Sequence, residues 1–332
     1  MSLSNSTLPS QARSHRPLAI LARYGLILAL VAVFAIFSAT TPTFLTPANL
    51  QSILVNNFTL LAIISIAMTF AVSAGGIDLS VGTAVDFASF AFVSLVLSGQ
   101  PVAFGLLAGL VAGAAVGAFN ALLISWIGVS PFLATLGTLF IGRSVQQLLT
   151  NGGNPVYLPP SGVPEAFRFL GHGSIAGFPV PLAIAVLIIV AAIVLFTRMR
   201  FGRVVLSIGI QPSVVRYSGI GLGGHVAVTF ILAGLIAAVA GLILTATVTV
   251  YIPSSGNAFL LNAIGATFIG TTLSPLGRPN VAGTVLGVLL LSIVANGLLL
   301  TGLNFYWQQV GTGTLIFAVL AFSFINRKTV GA

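Results

Sequence analysis

Only three acidic residues occur in this 332-residue chain, and two of them, Asp78 and Asp86, fall within or beside otherwise apolar stretches. An ionised side chain at the centre of a bilayer costs about 2.5 to 3.5 kcal/mol on insertion scales, so such a group is retained for a purpose. Asp78 sits in Gly75-Gly76-Ile77-Asp78-Leu79-Ser80-Val81-Gly82, whose glycines permit a non-helical backbone. Its carboxylate reads equally as the cap of the following helix and, with Ser80, as a polar group on a solute pathway. Asp86 lies one to two turns inside the apolar run that follows, where it must find a donor or stay protonated, and it is expected to face a polar cavity rather than lipid. The amides Asn120 and Asn296, and the pair Gln308-Gln309, could bond solute hydroxyls, but hydrogen bonds between helices explain them at least as well. The pathway candidates are therefore Asp78, Ser80, Asp86, Asn120 and Asn296. Arg143, in Gly142-Arg143-Ser144, reads as a side chain snorkelling to an interface, with a carboxylate pair as the alternative.

Several chemistries are excluded. With Asp78, Asp86 and Glu165 as the only acids, no Ser/His/Asp arrangement can be built. His172 and His225 lie in or beside loops without metal-binding spacing, so no catalytic residue and no metal ligand is expected. The absence of cysteine removes disulfides, thiolate sites and a Cys nucleophile. No Gly-x4-Gly-Lys-Ser/Thr loop occurs, and the first lysine is Lys328, so nucleotide energy would have to come from a partner chain.

The elements that position these residues follow from composition. The chain is 57% hydrophobic and 5% charged, with a mean hydropathy of +1.14, against about 25% charged residues in soluble domains. Its apolar runs match the ~20 residues a helix needs to span hydrocarbon and lack the alternation of a membrane barrel. The expectation is an all-α polytopic membrane protein of about ten transmembrane helices. The runs fall near 24–41, 51–74, 81–98, 102–127, 131–149, 179–197, 224–250, 259–275, 280–301 and 307–325, the third and eighth being the weakest. Residues 1–23 read as a cytosolic tail, 24–326 as one membrane domain and 327–332 as a second cytosolic tail. If the N-terminus is inside, Arg13, Arg16, Arg23, Arg198, Arg200, Arg203, Arg216, Arg278, Arg327 and Lys328 all lie inside and only Arg168 is clearly outside. This bias supports N-in, C-in. It also accounts for the net charge of +9 without nucleic acid. The outside loop of about 150–178, rich in proline and glycine, is expected to be ordered by turns and short helices and to meet an external partner. The inside loop of about 198–223 is the largest basic segment and the expected cytosolic docking surface. Gly76–Gly82 with Thr83, and Gly277–Gly283 with Thr284, share Gly-x5-Gly-Thr between two spans, a candidate internal repeat of the two halves.

Taken together, these segments resemble the ribose-type family of ABC sugar-importer permeases. The 75–82 block is the strongest match. Phe44-Leu45-Thr46 with Asn49-Leu50, Pro131–Thr138, Asn151-Gly152-Gly153 with Pro155-Val156, and Tyr306–Val310 follow in family order. Gly209–Ile220 is similar to the family's cytosolic coupling segment: Gly209, Arg216, Ser218, Gly219 and Ile220 match, while Gln211, Val214 and Val215 depart from it. The stretch 270–279 is poorer in glycine than the family pattern. The resemblance implies a multi-pass protein of the bacterial inner membrane that moves a monosaccharide or sugar-like solute by alternating access and is not an enzyme. The implied partners are a cytosolic ABC ATPase carrying the ATP and Mg2+, a periplasmic sugar-binding protein, and a second permease chain, identical or paralogous. Gly209, Arg216, Ser218 and Gly219 would couple to the ATPase. The rival reading is an ion-coupled secondary sugar transporter with Asp78 and Asp86 as cation sites; the Arg216 segment argues against it.

Overall fold

The apolar runs are punctuated by proline, whose missing N–H and helix-like φ suit it to the start of a helix. The computed structural model describes residues 16–274 and 276–330, and in it Pro47, Pro131 and Pro212 open helices while Pro101 and Pro179 immediately precede them. In chain order the helices are α1 (Arg16–Thr40), α2 (Pro47–Ser52), α3 (Thr59–Ser73), α4 (Val81–Leu97), α5 (Val102–Ala121), α6 (Pro131–Leu149), α7 (Glu165–His172), α8 (Val180–Arg198), α9 (Arg200–Ile210), α10 (Pro212–Tyr217), α11 (Leu222–Val248), α12 (Asn257–Thr271), α13 (Val281–Leu300) and α14 (Phe305–Val330). A π-helical turn, Ile53–Phe58, joins α2 to α3, and a second, Leu122–Ile127, extends α5. Short strands β1 (Val156–Tyr157), β2 (Ser174–Ile175), β3 (Phe178–Pro179) and β4 (Val250–Tyr251) pair antiparallel, β1 with β4 and β2 with β3.

Every apolar run read from the sequence coincides with a helix, although α1 begins at Arg16, within the segment read as a tail, and α14 continues to Val330. Residues 1–15 and 331–332 of the two predicted tails, and Pro275 of the 270–279 stretch, lie outside the described residues. Among the described residues, five helical spans are long and apolar enough to cross a membrane: Pro47–Ser73, Val102–Ile127, Val180–Arg198, Leu222–Val248 and Val281–Leu300. The two weakest runs are apolar but short, 17 residues in α4 and 15 in α12. At about 1.5 Å per residue neither covers a ~30 Å core alone. Their N-termini instead meet within the fold, with Gly256 packed so closely on Gly82 that a Cβ would strike the Gly82 carbonyl.

The Pro47–Ser73 span is central: 72% of its most apolar window is buried, against 28% for Val102–Ile127. Residues Leu61 through Ala71 of α3 are all buried, as expected of a helix apolar on every side. Around it stand α8, α11, α12 and α13. Helix α5 docks on α4 and α11 through Gly105, Gly109, Gly113 and Gly117, four apart, and a Cβ on Gly113 would lie 2.8 Å from the Gly234 carbonyl oxygen. Between apolar helices in lipid, attraction comes from close packing rather than from water exclusion, which favours such small residues. The 150–178 segment is ordered by β1, a 3-10 turn at Pro160–Gly162, α7 and the β2–β3 hairpin.

Candidate functional site

Where α3 ends, Gly75 turns the chain with φ 87°, and residues 75–80 lead into α4. The first amides of a helix lack partners within it. Here Asp78 Oδ1 accepts from the Ser80 amide at 2.8 Å and from Ser80 Oγ at 2.6 Å. Asn120 Nδ2 of α5 donates to Ser80 Oγ at 2.6 Å, and Thr138 Oγ1 of α6 donates to Asn120 Oδ1 at 2.6 Å. Thr135 Oγ1 adds a bond to the Ile77 carbonyl at 3.1 Å. All five polar side chains are buried. The turn therefore fixes the start of α4 to α5 and α6 through one continuous network. Three of the pathway candidates, Asp78, Ser80 and Asn120, belong to it and bond to one another inside the protein.

The same turn meets the basic segment. Gly209, at the end of α9, lies against the 73–75 backbone, and a Cβ there would strike the Ser73 carbonyl. Beyond it α10 presents Arg216, Ser218 and Gly219 to the surface, Gly219 with φ 74°. Of the departures from the family pattern, Gln211 and Val214 are exposed and Val215 is buried. A groove of about 290 Å³ runs between α9 and α10, lined by Arg200, Arg203, Val204, Ser207, Val214, Val215, Ser218 and Ile220. The predicted coupling residues thus combine one close backbone contact, at Gly209, with an exposed basic face.

The structure places Asp86 in a separate network. Its Oδ1 accepts from the Gly256 amide at 2.7 Å and from Ser255 Oγ at 3.1 Å, so it serves the N-terminus of α12, where a helix dipole favours negative charge. Beside it, Gln146 Oε1 of α6 accepts from the Ser254 amide at 2.7 Å and from Tyr251 Oη at 3.1 Å. Asn296 is apart from both, exchanging amide bonds of 2.9 and 3.1 Å with Asn49 of α2. Arg143 is exposed on α6. The repeat motif Gly277–Thr284 also enters a helix start, with Asn280 Oδ1 accepting from the Gly283 amide at 2.6 Å to cap α13.

None of the five pathway candidates lines the cleft between the α2–α3 span, the β2–β3 hairpin and the end of α11. That cleft, about 790 Å³, is walled by residues 48–60 of the α2–α3 span, by Gly171–Pro181 around the β2–β3 hairpin, by Ile243, Leu244, Thr247 and Val248 of α11, and by Phe259 of α12. Its volume is that of a small-molecule site, about 300 to 1,000 Å³. Its polar groups are uncharged hydrogen-bonding side chains: Gln51, Ser52, Asn56, Thr59, Ser174 and Thr247, with His172 at the rim. The Ile53–Phe58 π turn shifts the phase of the helix here, a distortion frequent at functional sites. Sequence reasoning missed Gln51, Asn56 and Gln146, although each is an amide within a predicted apolar run, the signal that singled out Asn120 and Asn296.

Residues 50–320 match the family described as branched-chain amino acid transport system / permease component. The D-allose transport system permease protein of Escherichia coli K12 is 33% identical over 92% of this chain and 93% of its own length. The ribose import permease protein of Bacillus subtilis 168 is 34% identical over 90% of this chain and 91% of its own. The L-arabinose ABC transporter permease protein of Azospirillum brasilense is 29% identical over 90% and 86%. No solved structure matches the chain.

Proposed function

This chain belongs to the ribose-type family of ABC sugar-importer permeases, and from that premise we propose that it is the membrane-spanning subunit of an ATP-binding-cassette importer for a monosaccharide or sugar-like solute. The observation that carries the proposal is the likeness to permeases named for allose, ribose and arabinose over about nine tenths of the chain. The cleft supports it, because neutral amides and hydroxyls are the groups that bond sugar hydroxyls, whereas a free amino acid would call for charged partners. The protein lies in the bacterial inner membrane as a multi-pass helical bundle, N-in and C-in, so the 150–178 segment and the cleft face outward. An external sugar-binding protein delivers solute to that side. A separate cytosolic ATPase, which carries the ATP and Mg2+, docks on the α9–α10 face. A second permease chain completes the pathway.

Alternating access needs motion at the ATPase to reach the solute side. The α9–α10 segment supplies the link. Gly209 bears directly on the 73–75 turn, and the Asp78, Ser80, Asn120 and Thr138 network ties that turn to α4, α5 and α6. Displacement of α9 is thereby passed to α4 as a rigid element.

The test is to purify the tagged chain in mild detergent, identify copurifying proteins, and reconstitute the complex with its binding protein in liposomes. Recovery of a P-loop ATPase together with ATP-dependent uptake of D-ribose, D-allose or L-arabinose is the expected result. A chain that emerges alone and moves sugar down an ion gradient without ATP would overturn the proposal, as would ATP-dependent uptake of leucine in place of sugars.

A further inference from the structure

The eight residues between α11 and α12, 249–256, are held in a conformation the backbone does not favour. Thr249 has φ 54° and Ser254 φ 63°, both in the left-handed region, which is strained for a β-branched residue such as threonine. Strain of this kind persists only where the surroundings over-determine it, and it gathers at switch regions. Besides the β1–β4 pairing at Val250–Tyr251, two side chains from remote helices hold the segment. Gln146 takes the Ser254 amide and the Tyr251 hydroxyl on one oxygen, and Asp86 takes the Gly256 amide and Ser255 Oγ on one oxygen. Both holding side chains are buried, at 2% and 0% exposure. The hold is incomplete, since Asp86 Oδ2 is buried without a hydrogen-bond partner. A buried acceptor left unmade costs free energy.

The position of the segment gives the hold a consequence. Thr247 and Val248, immediately before it, and Phe259, just after it, are walls of the 790 Å³ cleft. Moving residues 249–256 moves both walls. The wall around the β2–β3 hairpin carries neither clamp residue.

We propose that Gln146 and Asp86 are positioning residues for transport, forming a two-point clamp on residues 249–256 that sets the width of the cleft and is released when access changes sides. This rests on the transport function proposed above. The absence of cysteine allows a clean test. Spin labels are placed at Ile175→Cys on the hairpin and Ile252→Cys on the segment, both exposed in the chain, at 60% and 47%. Their separation is measured by pulsed electron resonance in the reconstituted complex, with and without ATP and vanadate. The expected result is two distance populations whose balance moves with nucleotide. Gln146→Leu and Asp86→Leu, which remove the accepting oxygens, should each shift that balance by about tenfold in the nucleotide-free state, the change one lost buried hydrogen bond supports. Maximal uptake should fall in the two clamp variants, while KM for the binding protein's delivery stays unchanged. A single distance, identical in wild type and in both clamp variants, would overturn the clamp even if uptake is lost. Loss of ATP-dependent uptake in the unsubstituted protein would instead count against the transport function, and the label distances would still decide the clamp.

Discussion

The starts of α4 and α12 solve one problem in two ways. Both helices begin inside the fold, where orphan amides need an acceptor and no water is at hand, and both recruit a carboxylate. Asp78 serves an amide two residues away, in a turn whose positive φ falls on a glycine, and its network through Ser80, Asn120 and Thr138 has a donor for every acceptor it uses. Asp86 serves an amide 170 residues away, next to Thr249 and Ser254 held at positive φ, and one of its oxygens has no partner. The first junction carries its positive φ on a glycine and is cross-linked to α5 and α6, suited to transmitting force from α9. The second is strained and partly satisfied, suited to changing state. The difference assigns rigidity to one junction and motion to the other.

The largest expected effect tests the rigid junction. Asp78→Ala leaves the Ser80 amide and hydroxyl buried without their acceptor, a loss of about 2 to 6 kcal/mol from two unmade bonds of ~1 to 3 kcal/mol each. Thermal denaturation in detergent, followed by size exclusion, should show a lower midpoint and a much smaller yield of monodisperse protein. Asp78→Asn keeps an acceptor oxygen and should lose less than half as much. An Asp78→Ala protein as stable as the parent would break the comparison at its stronger end.

Next in size is the contact between the rigid junction and the basic segment. Gly209→Val places a branched side chain against the Ser73 carbonyl, and overpacking of this kind costs about 1 to 3 kcal/mol. The backbone at 73–75 must yield or α9 must withdraw. Sugar taken up per ATP hydrolysed should therefore fall several-fold, while the ATPase, held by the exposed α10 face around Arg216, still copurifies. Unchanged coupling in Gly209→Val would remove α9 from the route of transmission and leave the α4 junction a purely structural cap.

The two junctions also differ in how far they were legible. Local chemistry was readable: the glycines of 75–82 and the short reach from Asp78 to Ser80 announce a capped turn, and proline and hydropathy locate the helices. The candidates Ser80 and Asn120 proved to share one network because they flank helix ends that the chain brings together early. What was not readable is long-range. Nothing near Asp86 points to Gly256, because the pairing depends on α11 returning the chain to the start of α12 through a strained segment. Gln146 and the cleft amides Gln51 and Asn56 were hidden for a related reason. A polar side chain in an apolar run signals that it faces something other than lipid, but which other helix it faces is set by packing, through features such as the glycine faces of α5 and α11, which hydropathy does not distinguish.

The smallest effect on stability belongs to the mobile junction and its cleft. Tyr251→Phe removes a single hydroxyl bond to Gln146 and keeps the ring that packs edge-on against Phe90 at 5.3 Å between centroids. A typical intramolecular hydrogen bond contributes about 0.5 to 1.5 kcal/mol, and the Ser254 amide still occupies the Gln146 oxygen, so the melting midpoint should barely move. A rigid, purely structural segment would show no more than that. If residues 249–256 move during transport, the same substitution weakens one arrangement relative to the other, and the maximal rate of uptake should change several-fold while the midpoint stays within a few degrees. Measuring both on one preparation separates the two cases: a rate that follows the midpoint would make the α12 junction as static as the α4 junction, and a rate that departs from it would place the motion where the strain is stored.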